Sequence, residues 1–350
     1  MRFLLAEYWH THIYAEPFFQ RFPELGVEVE AFRGQQFFLS DAKPLRLLRR
    51  AEDKFRFGPA VLELNASLVD RVRRTRPDVV FVFRGEHVLP STLARIKKLG
   101  SHVIGWHNDD PLSDRYPSYV WRHFLRGIPN YDHLFAYRHT NLEAFRARGC
   151  PRVSLLRSFY LRQLNHVVTG EISTAFRSDV SFIGHWENDG RDAYIGALLN
   201  EPGIDFRLWG TLWDRSACAA ALAARFGAVR PLYKADYNLA LNGTRIAIAF
   251  LSKLNHDTYT RRCFEIPAAG TFMLSEYTDD LASMFEPGKE AEYFRSSEEL
   301  LEKVRFYLGH DDARRRIAEA GRARLLRDGH EAADRARQVL ETVKRDLGCT

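Results

Sequence analysis

Short apolar runs alternate along the chain with longer segments that have helical spacing. The first series, rich in Val, Ile and Phe, comprises residues 2–8, 27–32, 78–85, 102–109 and 133–138. A second series comprises residues 179–185, 205–210, 245–251, 271–276 and, more weakly, 291–296. Many of these runs are apolar at successive positions, as in strands that are covered on both faces. The pattern therefore predicts two sheets of parallel strands.

The segments between the runs repeat their apolar residues with the period of a helix. They comprise residues 61–75, 90–99, 140–148, 191–200, 214–226 and 297–309. Strands that alternate with helices favour doubly wound, parallel α/β domains. Residues 158–178 contain no convincing strand, so we expect the domain connection there. The expected division is an N-terminal domain over 1–170, a C-terminal domain over 171–329, and a last helix within 330–350 that can cross back to the first domain.

Composition and charge narrow the function classes. The 350 residues include 51 Lys and Arg against 45 Asp and Glu, a formal net charge of +6. Much of the basicity lies in 311–346, where it alternates with acidic residues as on a solvated helix. No run approaches the roughly 18 apolar residues of a membrane-spanning helix, although peripheral membrane contact stays open. Four scattered cysteines without a C-x-x-C pair favour reduced thiols, and hence a cytoplasmic protein.

Polar residues follow the predicted strand 179–185, at the place where open α/β sheets bind ligands. Gly184 permits close backbone approach, and His185 begins a polar loop. Arg191 then opens a helix whose N-terminal amides favour an anion, so an arginine there suits a diphosphate. A local ion pair is the alternative, because the loop lacks a complete glycine-rich phosphate fingerprint.

Glu265 stands inside an otherwise apolar run, CFEIPAAG. A buried carboxylate is costly unless it is paired or hydrogen-bonded. The residue therefore predicts either a ligand with hydroxyl donors, such as a ribose, or an internal salt bridge to Arg261 or Arg262. Asp257 lies about two helical turns earlier and can serve the same ligand.

The run also predicts a short helix around Glu265. Thr258 and Thr260 are residue types that cap the start of a helix, and Gly270 is typical of its end. Pro267 is expected to shorten or kink this helix.

Three motifs within residues 259–326 carry a family resemblance: R-x-F-E-I-x-A-x-G, F-x-P-G-x-E and R-x-x-I-A-x-x-G-R. Together with SDVSFIGHWENDGRDAYIGALL and LWGTLWD upstream, they resemble the CgeB-like glycosyltransferases. That group is similar to the family 4 retaining glycosyltransferases, which have the GT-B fold of two Rossmann-like domains facing a cleft. The resemblance is strong over 179–325 and weak before it.

The resemblance implies a role for several residues. Glu265 matches the acidic residue expected on the nucleotide ribose. Asp257 falls where the family has a glutamate facing the donor sugar, and the Gly-containing run that usually follows is absent. Trp209 can stack on the base or belong to the core. The residues implied for the donor nucleotide are thus Gly184, His185, Arg191, Trp209, Lys253, Arg261 and Glu265.

The segment GWHNDDP in the N-terminal half resembles the aromatic and acidic strand end of the same family. Asp109 or Asp110 can position an acceptor hydroxyl, and His107 can share its proton. One alternative is an Asp-rich turn before Pro111. Another is a divalent metal site, which two aspartates alone support only weakly.

His10 and His12 follow the first predicted strand, where acceptor loops begin in GT-B enzymes. We interpret them as acceptor-binding residues. Two histidines without a third ligand nearby are weak evidence for zinc, and ordinary loop histidines are the alternative.

The leading hypothesis is an enzyme that moves a sugar from a nucleoside-diphosphate donor to an acceptor hydroxyl, such as that of a glycan. The donor would be a UDP-, GDP- or dTDP-sugar, no metal or further cofactor is required, and retention is implied by the resemblance. A non-catalytic nucleotide- or glycan-binding protein on the same scaffold is the alternative. Nucleic-acid binding is suggested by the basic charge alone, without aromatic–basic interleaving or a motif.

Overall fold

The computed structural model describes residues 1–8 and 13–349, which form two compact units. The first unit comprises Met1–Arg157 and Ala332–Thr350, and the second comprises Ser158–Glu331. Residues 158–170 thus belong to the second unit, although the sequence suggested the N-terminal domain for them.

The first unit is built on a six-stranded parallel sheet in the order β2-β1-β3-β4-β5-β6. Its strands are β1 (Arg2–Glu7), β2 (Glu28–Arg33), β3 (Val79–Phe83), β4 (His102–His107), β5 (His133–Ala136) and β6 (Val153–Leu155). Its helices before the second unit are α1 (Ala15–Arg21), α2 (Lys43–Phe55), α3 (Pro59–Thr75), α4 (Pro90–Lys98), α5 (Arg122–Gly127) and α6 (Thr140–Ala147). The apolar core packs α3, α4, α5 and α6 against the sheet.

The second unit is built on a five-stranded parallel sheet in the order β11-β10-β9-β7-β8. Its strands are β7 (Ser178–Ile183), β8 (Phe206–Trp209), β9 (Thr244–Ala249), β10 (Phe272–Glu276) and β11 (Glu292–Phe294). Its helices are α7 (Arg191–Asn200), α8 (Ala219–Phe226), α9 (Lys234–Gly243), α10 (Arg262–Ala268), α11 (Asp279–Met284), α12 (Ser297–Gly309) and α13 (Asp311–Arg327). This unit has its own apolar core.

The last helix, α14 (Ala332–Leu347), returns to the first unit. It packs against α1, and Gln338 donates a hydrogen bond to the carbonyl of Leu155. Its Asp346 accepts from His133 at 2.7 Å. The chain therefore closes the first unit only after the second unit is complete.

The prediction of two doubly wound parallel-sheet domains is confirmed, but some elements were not predicted. β6 has three residues and only Val153 is buried, so no periodic pattern identifies it. α9 mixes polar and apolar positions, and α2 buries only Glu52. The predicted helix over 214–226 begins later, at Ala219, after a short 3-10 turn.

The packing around Gly321 explains why the motif R-x-x-I-A-x-x-G-R has a glycine at this position. It lies in α13, against the backbone that precedes β11. A Cβ atom at this position would lie 2.2 Å from the carbonyl oxygen of Glu290. Because the neighbour is backbone rather than a flexible side chain, only glycine fits without a shift of the chain.

We expect Gly321→Ala to destabilise the protein although alanine is the better helix former. The helix gains about 1 kcal/mol in propensity, whereas overpacking of this kind costs about 1–3 kcal/mol or more. Urea unfolding should therefore show a lower midpoint. The control is Gly309→Ala at the end of α12, where no atom lies within 4 Å of the new Cβ; equal midpoints for the two variants would contradict the packing argument.

Candidate functional site

The second sheet reverses its strand order between β7 and β9. These strands are hydrogen-bonded neighbours, although β8 and its helices separate them in the chain. β8 lies beyond β7, whereas β10 and β11 lie beyond β9. Such a point leaves a crevice at the carboxyl ends of the strands, where ligands of α/β proteins bind. The loops that follow β7 and β9 therefore form the candidate site.

Glu265 lies on α10, the helix that follows β9, and its exposed fraction is only 7%. One carboxylate oxygen accepts from Arg261 Nε at 2.5 Å, and the other accepts from the Tyr237 hydroxyl at 2.7 Å. The internal salt bridge left open by the sequence is thus present. A carboxylate can accept about four hydrogen bonds, so this one is fixed in position and retains capacity for further donors.

Tyr237 is the second partner of Glu265, and no sequence pattern indicated the pairing. It lies on α9, and 28 residues separate it from Glu265. Burial and the charge of Glu265 raise the pKa of Tyr237 well above its ordinary value. The hydroxyl therefore keeps its proton and acts as a donor.

The start of α10 differs from the prediction. Its first flanking residue is Arg261, without a side-chain cap, so neither Thr258 nor Thr260 caps the helix. Thr258 instead donates to Asp280 at 2.6 Å, because α11 also begins near the carboxyl edge of the sheet. The helix ends at Ala268, directly after Pro267 and before Gly270, as expected.

Gly184 follows β7, and the end of β8 approaches it closely. Its amide donates to the carbonyl of Trp209 at 2.8 Å, and its carbonyl accepts from Trp213 Nε1 at 2.9 Å. A Cβ atom at Gly210 would lie 1.8 Å from the Gly184 oxygen. The glycines therefore allow two strand ends to meet, and Trp209 contributes its backbone to this junction.

Arg191 is the first residue of α7, and its side chain is buried. Its guanidinium donates twice to Asp189, at 2.8 and 2.5 Å, and once to the carbonyl of His185 at 2.6 Å. It also lies over the ring of Phe182. The arginine thus makes the local ion pair that the sequence offered as the alternative, and it holds the loop after β7 in place.

Glu187 joins the loops that follow β7 and β9, a contact that the sequence reasoning missed. It accepts from His185 at 2.8 Å and from the Ser252 hydroxyl at 2.6 Å. Burial opposes ionisation of Glu187, but these hydrogen bonds and Arg191 outweigh it and lower its pKa to about 2. The two loops are therefore linked through a charged carboxylate.

Lys253 and Asp257 lie in the loop that follows β9. Lys253 is about half exposed and donates to Glu276 at 3.0 Å, at the end of β10. The backbone amide of Asp257 donates a hydrogen bond to the carbonyl of Ser252 at 2.9 Å, and the residue is partly exposed. The loop thus folds back on itself and brings both residues to the carboxyl edge.

Arg262, next to Arg261, serves a different purpose. Its Nε donates to the carbonyl of Ile183 at the end of β7, and its guanidinium lies 5.7 Å from the Phe182 ring centroid. It thereby fastens the start of α10 to the neighbouring strand. Of the two arginines that the sequence offered as partners of Glu265, only Arg261 takes that role.

A cavity of about 520 Å³ opens at the same edge of the second sheet, beside the ends of β10 and β11. Lys253, Glu276, Tyr277 and Arg295 contribute charged or aromatic side chains to its lining. Its size falls within the usual range of small-molecule sites. Glu265 is not among its lining residues, so the cavity and the α10 carboxylate are separate features of this edge.

The acceptor candidates of the first unit lie at the end of β4, mostly inside the protein. His107 is buried between Trp121 and Phe124. Burial lowers the pKa of His107 to about 4, so the ring is neutral at neutral pH. Asp109 pairs with Arg84 at 3.1 Å and is partly exposed.

Asp110 is buried, and its catalytic role stays a prediction. Its carboxylate accepts from Asn141 at 2.9 Å and from the amide of Leu112 at 3.1 Å. This is the Asp-rich turn that the sequence gave as an alternative. His10 and His12 lie outside the described residues, so their acceptor role stays a prediction.

Two buried glutamates near β1 and β3 were not identified from the sequence. Glu7 and Glu86 line one small cavity at the carboxyl edge of the first sheet. Burial, and then the charge of Glu86, raise the pKa of Glu7 to about 8. Burial also opposes ionisation of Glu86, but Arg84 and His87 lower its pKa to about 2. Neighbouring carboxyls are therefore held in different protonation states.

Across residues 1–8 and 13–349, no three or more His, Cys, Asp or Glu side chains form a group that could hold a metal ion. No helix in that part is long and apolar enough to cross a membrane.

A known protein family matches most of the second unit and part of α14. Residues 191–341 match the model of a family described as glycosyl transferase-like. This region begins at Arg191 and includes Glu265 and most of α14. No curated protein sequence matches the chain significantly.

Solved structures match almost the whole chain at low sequence identity. HepE from Anabaena, in complex with UDP and glucose, has a TM-score of 0.70 and 12% identity, with 99% of this chain and 100% of that chain covered. Sucrose-phosphate synthase from Thermosynechococcus elongatus has a TM-score of 0.70 and 10% identity, with 99% of each chain covered. The chain has the GT-B fold.

The GT-B fold does not fix the reaction. A putative UDP-N-acetylglucosamine 2-epimerase from Listeria monocytogenes also matches, with a TM-score of 0.59 and 12% identity over 99% of this chain and 96% of that chain. The reaction therefore depends on the side chains that the GT-B scaffold carries.

We expect the contribution of Glu7 to the free energy of unfolding to fall between pH 6.5 and pH 8. Its pKa is raised in the folded protein, so its stabilising contribution is complete below the unfolded pKa and is lost as the pH rises through about 8. The loss is up to about 1.4 kcal/mol per pH unit. The histidines with lowered pKa values, His107, His123 and His133, contribute with the opposite sign while the unfolded imidazole loses its proton around pH 6.5. The contribution of Glu7 is therefore the difference between the wild type and Glu7→Gln, and Glu86 stays ionised across this range.

The variant Glu7→Gln, which mimics the protonated carboxyl, should remove this pH dependence. Urea unfolding at pH 6.5, 7.2 and 8 measures it, and Glu286→Gln on the surface is the control. If Glu7→Gln and the wild type lose stability in parallel, the assignment of Glu7 as a protonated buried acid is wrong.

Proposed function

We propose that the protein is a glycosyltransferase that transfers a sugar from a nucleoside-diphosphate donor to an acceptor hydroxyl. The donor nucleotide binds to the second unit, at the carboxyl edge beside the switch point between β7 and β9. UDP is the first nucleotide to test, because HepE, a protein of similar fold, has been solved with UDP-glucose. The acceptor is a glycan or another hydroxyl compound.

The observation that carries the proposal is the fixed carboxylate of Glu265. Arg261 and Tyr237 hold both of its oxygens, yet capacity for further hydrogen bonds remains. Vicinal hydroxyls of a ribose are donors that suit such a carboxylate. Glu265 also lies within the residues that match the glycosyl transferase-like family. We therefore assign Glu265 to the nucleotide ribose.

The chemistry requires that negative charge be stabilised on the leaving group. The bond between the anomeric carbon and the diphosphate oxygen breaks, a bond to the acceptor oxygen forms, and the acceptor proton passes to the departing diphosphate or to water. Charge grows on the diphosphate as this happens. Lys253 is about half exposed at this edge, and α7 begins close by. We assign both to the diphosphate, with Asp257 facing the sugar.

Two finer features belong to the same proposal. Retention of the anomeric configuration follows from the resemblance to the family 4 enzymes. Transfer without a metal ion follows from the use of side-chain and helix charges for the diphosphate. We assign the acceptor to the first unit, near Asp109, which is partly exposed and oriented by Arg84.

A second candidate function is nucleotide or glycan binding without transfer. The observation that favours it is the engagement of Arg191, whose guanidinium is committed to Asp189 and to the loop carbonyl. In that case the diphosphate loses a cation that the sequence suggested for it. Both functions are compatible with nucleotide binding, but only the transferase turns over its sugar donor.

We expect UDP or another nucleoside diphosphate to bind the wild type, and Glu265→Gln to weaken this binding by about 1–3 kcal/mol, the usual cost of a mismatched buried polar group. Tyr237→Phe should weaken it by a smaller amount, about 0.5–1.5 kcal/mol, because it loosens Glu265 without removing it. Calorimetric titration with UDP, GDP and dTDP, in EDTA and in Mg²⁺, measures both effects.

The control is Glu319→Gln, the same substitution at the opposite, amino edge of the second sheet. It should leave nucleotide affinity unchanged. Release of UDP from UDP-sugars in the presence of candidate acceptors then separates the two functions: turnover that fails in Glu265→Gln supports the transferase, and binding without turnover favours the second candidate. No nucleotide binding at all would refute the proposal.

A further inference from the structure

Large apolar side chains are exposed in one short part of the first unit. Of the 13 exposed large apolar side chains in residues 1–8 and 13–349, seven lie between residues 39 and 62, which we name the 39–62 surface. Leu47, Leu48, Phe55 and Phe57 are 66%, 51%, 46% and 72% exposed. Exposed apolar residues are normally scattered, and clusters of them mark interaction sites.

Helix α2 gives this surface an inverted pattern of burial. The only residue of α2 that is buried is a glutamate, Glu52, which accepts from the amide of Ala60 at 3.1 Å. Asp53, beside it, accepts from the Tyr8 hydroxyl at 3.0 Å and pairs with His87. A surface helix usually turns its apolar stripe to the core. Here acidic side chains attach the helix to the unit, so its leucines face outward.

The cations of α2 are also turned outward. Lys43, Arg46, Arg50 and Lys54 are all exposed, and none makes an ion pair with another described residue. At 100° per residue, the arc that holds Arg46, Arg50 and Lys54 borders the arc that holds Leu47, Phe55 and Leu48. Among the acids of the 39–62 surface only Asp41 is exposed. The surface therefore combines apolar side chains with unbalanced positive charge.

We propose that the 39–62 surface docks the protein on an anionic lipid bilayer, with α2 lying in the plane of the interface. A helix with an apolar face and a Lys- and Arg-rich face inserts its apolar side chains among the lipids, and the cations meet the acidic headgroups. Nothing about the sugar-transfer reaction is needed for this inference.

Charge distinguishes this occupant from two others. A second copy of the chain, seated on the same surface, would bring four unpaired cations against four more and is disfavoured. A nucleic acid would neutralise the cations but would leave the leucines and phenylalanines in water. An anionic bilayer satisfies both parts of the surface.

The position of the surface gives the docking a consequence. Asp53 joins α2 to Tyr8, directly after β1, and to His87, after β3. These are the carboxyl ends of strands in the first sheet. Docking through α2 would therefore hold the edge that contains Asp109 close to the membrane surface. This consequence, unlike the docking itself, rests on the proposed function, and it favours an acceptor presented at a membrane.

Flotation with lipid vesicles tests the proposal on the full chain. We expect binding to vesicles of phosphatidylcholine with about one third phosphatidylglycerol, weak binding to phosphatidylcholine alone, and release as salt is raised. Leu47→Asp should reduce binding by on the order of tenfold. Arg46→Gln should reduce binding to the anionic vesicles by about fivefold.

The matched control is Leu326→Asp on α13 of the second unit, where the leucine is 46% exposed. It should bind the vesicles like the wild type. All three positions are exposed, so unchanged thermal midpoints should accompany the losses. Equal binding by Leu47→Asp and Leu326→Asp, or no vesicle binding by the wild type, would overturn the proposal. So would a dimer in sedimentation velocity that Leu47→Asp dissociates while vesicle binding persists.

Discussion

The carboxylate of Glu265 is held inside the second unit by two donors, and the proposed donor site depends on these two contacts. A charge at this depth is tolerated only when it is paired and hydrogen-bonded. Arg261 supplies the opposite charge from one helical turn away, and Tyr237 supplies a neutral donor from another helix. The same contacts that make the burial possible also orient the carboxylate. Orientation of this kind is what a binding site needs before its ligand arrives.

The loops around this carboxylate are organised by further buried charges. Arg191 and Asp189 close the loop after β7, and Glu187 ties that loop to Ser252 after β9. Arg262 fastens α10 to the end of β7. Each contact uses a polar side chain to join a loop or a strand end at the carboxyl edge of the sheet. These contacts connect the loops at the switch point of the sheet, where Lys253 is about half exposed.

The sequence predicted the architecture well because parallel strands buried on both faces leave continuous apolar runs, as in residues 79–83. It failed where burial is not periodic: β6 is too short, and α2 faces its apolar side chains outward. In the site, Glu265 was recognisable because a single acid interrupts an apolar run, and Arg261 because it is four residues away. The pairing of Tyr237 with Glu265 and that of Glu187 with Ser252 were not, since these partners lie 28 and 65 residues apart in the chain. Arg191 shows the reverse. Its position suggested that it binds a ligand, but only the structure could reveal that its guanidinium is already paired with Asp189.

The most direct test of this account is a crystal structure of the full chain with UDP. The account predicts the ribose hydroxyls within hydrogen-bonding distance of the Glu265 carboxylate, about 2.5–3.0 Å, with Arg261 and Tyr237 still in contact with it. A nucleotide bound elsewhere, with Glu265 unchanged and bonded only to its two internal partners, would show that this carboxylate is structural and would contradict the central claim.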